Sequence, residues 1–142
     1  MSKTTTIPLH AGEKIFINGA VVRADRKMTL ELLNDVPYLL EHQIIQVDQT
    51  STTLRQLYYV LQTMIMDPSC IPAARDVFEC SSKWLVDAVT NEELLAGVRL
   101  ARELVAQGRT FDALRTVRDL FQVEDSILGV AQQNGVRYLE AV

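Results

Sequence analysis

The chain has 142 residues and a mass of 16.0 kDa, with 48% apolar and 23% charged residues, the composition of an ordinary globular protein and not of a disordered one. Its longest unbroken apolar run is Leu57–Leu61, far short of the roughly 20 residues that a membrane helix needs, and the Met-Ser-Lys-Thr-Thr-Thr start offers no apolar stretch for a secretory signal. A net charge of −4 and a pI near 5.1 exclude a protein that grips nucleic acid by bulk charge alone.

The pattern divides near residue 50, so residues 1–50 and 51–142 are expected as two parts. In the first, Lys14-Ile15-Phe16-Ile17 is followed by Asn18-Gly19, the dipeptide suited to a type I′ hairpin because both central residues need positive φ. Residues 20–24 return as the partner strand, and Asp25-Arg26 makes a second turn. Met28, Leu30 and Leu32 alternate with Thr29 and Glu31, the period of a half-buried strand. After the Asn34-Asp35 turn, residues 36–40 and 43–47 are each expected to add a strand, with Pro37 keeping the first at an edge. The expectation is a small antiparallel β meander.

Residues 49–53 are polar and rich in helix N-cap types. Beyond them Leu54, Leu57, Tyr58, Leu61 and Met64 or Ile65 share a helical face, yet Tyr59, Val60 and Met66 lie elsewhere on the circumference. A helix apolar nearly all round belongs in an interior or at an interface. Asp67-Pro68 ends it. A second helix begins around Pro72 with Ala74, Val77, Phe78, Ser81, Trp84, Leu85 and Ala88 as one stripe. Thr90 and Glu93 have capping-box spacing for a third helix, which stops at Gly108, a C′ glycine. Thr110 is read as the cap of a fourth helix bearing Phe111, Leu114, Val117 and Phe121. Residues 124–133 form a last, weaker helix, with a frayed tail from Asn134. The fold class is therefore α+β: a β meander followed by a bundle of four to five helices.

Chemistry-bearing motifs are few. Cys70 and Cys80 belong to no Cys-x-x-Cys pair, and His10 and His42 lie far from them in the sequence. Free thiols, Cys80 as a core residue and no metal site are expected. No phosphate loop, dinucleotide fingerprint, nucleophile elbow or zinc-protease motif occurs. Ser81-Ser82-Lys83 lacks the Ser-x-x-Lys spacing, and Glu41-His42, read in a strand, would point to opposite faces. No enzymatic activity and no cofactor are expected. What stands out is residues 13–27, where Lys14, Arg23, Arg26 and Lys27 face only Glu13 and Asp25. Cations at the turns of a small sheet, with Phe16 and Asn18 among them, can hold single-stranded RNA: charge meets phosphate, and ring and amide meet bases.

Residues 12–21, Gly-Glu-Lys-Ile-Phe-Ile-Asn-Gly-Ala-Val, resemble the N-terminal signature of the FlbT family of flagellin-synthesis regulators. So do Asp25-Arg26-Lys27, Leu33-Asn34-Asp35-Val36, Leu39-Leu40-Glu41 and Thr53-Leu54-Arg55-Gln56-Leu57-Tyr58. The resemblance runs unbroken over about residues 12–68, departing at Ala11, where proline is expected in many relatives. It implies a cytoplasmic, non-enzymatic regulator acting on the 5′ untranslated region of flagellin messenger RNA, typically limiting translation or promoting decay. DNA and membranes are not expected partners. Lys14, Arg23, Arg26 and Lys27 are the expected phosphate contacts, with Phe16 and Asn18 at the bases. The alternative is a protein-interaction module or chaperone-like assembly factor, with Leu57, Tyr58, Leu61 and Met64 meeting a protein. FlaF, a small flagellar protein the resemblance brings with it, and a second copy of the chain are the expected protein partners.

Overall fold

The computed structural model describes residues 4–134; the tail after Asn134 lies outside them. Five strands come first: β1 (Thr5–Leu9), β2 (Lys14–Ile17), β3 (Ala20–Arg23), β4 (Met28–Leu32) and β5 (Tyr38–Leu40). Five helices follow among the described residues: α1 (Thr53–Met66), α2 (Ile71–Ala88), α3 (Glu92–Ala106), α4 (Thr110–Asp119) and α5 (Phe121–Asn134). This is the expected α+β architecture, antiparallel strands before a helical bundle.

The Asn18-Gly19 hairpin forms with φ of +46° and +90°, aligning Lys14 with Arg23 and Ile17 with Ala20. From there the pairing leaves sequence order. β5 adds to the free edge of β2, giving the order β3-β2-β5, while β4 pairs antiparallel with β1 in a separate two-stranded sheet. β1 has no counterpart in the sequence reading, and Pro8 is its fourth residue. The strand tolerates that proline because β4 is its one neighbour, so the missing N–H costs no ladder bond on the open side. Pro37 directly precedes β5, which lies at a sheet edge as expected.

The strand expected over residues 43–47 does not form. Residues 41–50 contain two 3₁₀ turns, Glu41–Gln43 and Val47–Gln49, and glutamine amides occupy the bonds a neighbouring strand would have taken. Gln43 accepts from the Leu40 N–H at 3.0 Å and Gln49 from the Gln46 N–H at 2.7 Å. The Gln62 side chain, from α1, accepts from the Ile45 N–H at 2.8 Å and donates to its carbonyl at 2.9 Å.

The three-stranded sheet is the middle layer. Alternation along β2 and β5 sends Ile15, Ile17, Tyr38 and Leu40 toward Ile7, Leu9 and Ala24 and the apolar residues of β4. Phe16 and Leu39 face the opposite way, into the helical core. There α1 is central, packed by α2, α4, β2 and β5. Leu57, Tyr58 and Leu61 are wholly buried and Met64 is 2% exposed, which corrects their assignment to a partner surface: the bundle and sheet consume α1's apolar circumference, as an interior helix requires.

Helix ends follow local chemistry with small shifts. The Thr52 hydroxyl caps α1 by accepting from the Arg55 N–H. Asn91, not Thr90, caps α3, accepting from the Leu94 N–H at 3.0 Å. α3 ends as expected at Gly108, φ +76°. The Arg109 N–H bonds the Leu104 carbonyl and the Gly108 N–H the Val105 carbonyl, the two bonds of a Schellman motif. Thr110 is the first residue of α4 and not its cap, and Phe121 opens α5 instead of closing α4. In α2 the expected stripe splits: Ala74, Phe78 and Leu85 are buried, but Val77 and Trp84 are 52% and 49% exposed. Cys80 is also exposed, correcting its reading as a core residue.

Candidate nucleic-acid interface

One end of the strand layers gathers several ionisable side chains. His10 follows β1, Glu13 and Lys14 open β2, Arg23 ends β3, Lys27 precedes β4, and Glu41 and His42 follow β5. Backbone bonds hold these turns together. The Glu13 N–H bonds the His10 carbonyl at 3.1 Å, closing a turn in which Gly12 adopts φ +80°, a value that favours glycine there. Gly12 and Ala24 join at 2.7 Å, and Ala24 and Glu13 at 2.9 Å. The Lys14 N–H donates to the Glu41 carboxylate at 3.0 Å.

Four of the six sequence-predicted RNA contacts meet here. Lys14 and Arg23 are direct cross-strand partners, and like charges placed opposite each other on one face repel. A polyanion laid over them relieves that repulsion. Arg26 is paired only with its neighbour Asp25, at 3.3 Å, with both side chains at least 71% exposed; such a pair is worth at most about 1 kcal/mol and leaves the guanidinium available. Lys27 is exposed and, among the described residues, makes no ion pair.

The other two candidates are elsewhere. Phe16 is half-buried and packed against the helical core, so its ring cannot stack on a base; strand alternation alone puts it there, opposite Ile15 and Ile17. Asn18 occupies the hairpin turn about 13 Å along the strand from Lys14, four residues at roughly 3.3 Å each. It lines a different cavity of about 370 Å³ that also contains Asp35 and the Arg109–Asp112 ion pair, apart from the cationic end.

The sequence reading missed His10, Glu13, Thr29 and His42, which line a cavity of about 540 Å³ at the cationic end. His10 follows β1, which no local pattern announces, and His42, which reads as a strand residue, lies in a 3₁₀ turn. Among the described residues no group of three or more His, Cys, Asp or Glu is placed to hold a metal ion, and no helix is long and apolar enough to cross a membrane.

A family model described as "Flagellar protein FlbT" matches residues 5–128. Relatives from Rhizobium leguminosarum bv. trifolii and Agrobacterium fabrum are 45% and 44% identical over 128 residues, 90% of this chain and 86% of each relative. One from Chelativorans sp. is 40% identical over 133 residues, 94% of this chain and 92% of the relative. All three are described as a probable flagellum biosynthesis repressor protein FlbT. No solved structure matches the chain significantly.

Proposed function

The chain belongs to the FlbT family, and on that premise we propose that it represses flagellum biosynthesis by binding the 5′ untranslated region of flagellin messenger RNA in the cytoplasm, limiting translation or promoting decay without catalysing a reaction itself. The observation that carries the RNA step is the convergence of Lys14, Arg23, Arg26 and Lys27 at one end of the strand layers. That convergence reconciles RNA binding with a chain of net charge −4: contact is local, and the helical part contributes no bulk attraction.

The test is binding of a labelled flagellin leader by the purified chain across a salt series. Each neutralised phosphate on a single strand contributes about −0.7 to the slope of log K against log salt, so four contacts predict a slope near −3. Combined Arg23→Ala, Arg26→Ala and Lys27→Ala substitution on these exposed positions should bring the slope near −1. An unchanged slope in the folded variant would remove these residues from the interface.

A second reading is favoured by α2. Val77 and Trp84 are two helical turns apart, on one outward face, and both are about half exposed. A partner helix, such as one from FlaF, would cover that stripe. Trp84 is the chain's one tryptophan, so docking there shifts its emission to the blue. Complex formation without a shift would move the partner surface elsewhere.

A further inference from the structure

The cavity of about 540 Å³ beside the cationic end has a composition that nothing in the family assignment explains. Its volume is that of a small-ligand site. Pro8, Leu9, Met28 and Leu40 give it an apolar lining, while His10, Glu13, Lys27, Thr29 and His42 supply polar groups. Both of the chain's histidines, 32 residues apart in sequence, meet in it. Among the described residues the side chains of His10, Glu13, Lys27 and His42 make no hydrogen bond or ion pair with the protein, so their bonding capacity is directed outward.

We propose that this cavity seats one unpaired guanine of a single-stranded RNA. The proposal rests on the RNA reading above and names the base which that interface recognises. Bases in single strands present their Watson–Crick edges and faces to protein, and histidine is one of the rings they stack upon. A carboxylate is acceptor-only, so Glu13 selects an edge that carries donors. Guanine offers two adjacent ones, N1–H and N2–H, which a carboxylate accepts in parallel. Uracil offers a single N3–H between two carbonyl oxygens that the carboxylate repels. Adenine and cytosine each present one amino donor beside a ring acceptor. The imidazoles of His10 and His42 lie against the ring, the apolar lining receives its other surface, and Lys27 meets the adjoining phosphate. Glu13 is thereby given a reason to stand among four cations where phosphate binding alone would exclude it.

Because the chain has two histidines, the imidazole Cε1–H signals in a ¹H–¹³C spectrum report on the cavity directly, assigned by His10→Gln and His42→Gln. Titration compares a uridine hexamer carrying one guanine, the all-uridine hexamer and inorganic phosphate, with binding of the flagellin leader measured in parallel. Both signals should move with the guanine oligomer and saturate at about tenfold lower concentration than with all-uridine, the scale of one bidentate base contact. Glu13→Gln should abolish that preference while leaving the methyl spectrum, and hence the fold, unchanged. Equal affinity for the two oligomers, the same shifts from phosphate alone, or unmoved imidazoles while the leader still binds would each overturn the guanine site and leave the RNA reading standing. Failure of the leader to bind at all would instead overturn the RNA reading.

Discussion

Gly97, in the middle of α3, is small because of a contact and not because of its backbone. A Cβ added there would lie 2.5–2.9 Å from the side-chain carbons of Leu120, a residue 6% exposed. Gly→Ala in a helix interior gains about 1 kcal/mol in propensity, whereas overpacking a buried contact costs about 1–3 kcal/mol. Gly97→Ala should therefore lower stability in urea melts, and in a Leu120→Ala background the same change should become neutral or stabilising. Tyr58 carries a second expectation. Its hydroxyl donates to the Gln43 carbonyl at 2.6 Å and accepts from Arg118. Burial pushes its pKa above the ordinary 10.0, opposed by the hydrogen bond and charge of Arg118. The folded chain thus holds this proton to higher pH than the unfolded chain does. The stability that this confers is complete below pH 10 or so and is lost as pH rises through the elevated value. Tyr58→Phe should flatten that alkaline decline, at a cost near neutrality of about 1–3 kcal/mol for the partners left behind. Neither role is visible in the sequence, where Gly97 registers only as a propensity cost and Tyr58 as one member of an apolar face.

The elements that periodicity identifies are those whose bonds are internal. Helices α1 to α4 and the Asn18-Gly19 hairpin satisfy their own backbone, so spacing and caps announce them within a residue or two. Segment 41–50 does not, and its Ile44-Ile45 pair is compatible with a strand until its partners are known. For Ile45 that partner is a side chain distant in sequence, Gln62, which is 3% exposed and bonds both polar groups of the Ile45 backbone. Gln62→Leu keeps the volume and leaves that N–H and carbonyl unpaired, so about 2–4 kcal/mol should be lost. The Ile45 amide should also lose its protection from hydrogen exchange. A protected Ile45 in the variant would mean that the segment is held by packing alone. The candidate interface was legible to the same extent and for the same reason. Its four cations cluster in one stretch of sequence, whereas His10 and His42 enter it only through pairings, β1 with β4 and β5 with β2, that no local pattern encodes.

Across the whole molecule, the composition shift near residue 50 marks a change of secondary structure, but the energetics cross it. Leu39 is fully buried in the helical core and Phe16 packs against it, and burial of one such side chain is worth about 1.5–3 kcal/mol. The hydroxyl of Tyr58 and the amide of Gln62, both on α1, find their partners at Gln43 and Ile45, each bond contributing about 1 kcal/mol and more when its loss strands a buried group. Removing residues 1–50 deletes all of these terms together and bares the side of α1 that meets the sheet. Their total is comparable with the 5–15 kcal/mol that is the whole stability of a typical domain. Residues 51–142 alone should therefore keep helical far-ultraviolet circular dichroism while binding a hydrophobic dye and melting over a broad range. The full chain should instead unfold in one transition reported alike by Trp84 emission and by the strand amides. A fragment that melts sharply and binds no dye would show that the bundle closes its core without the sheet, and that the strand layer is carried by the helices without supporting them.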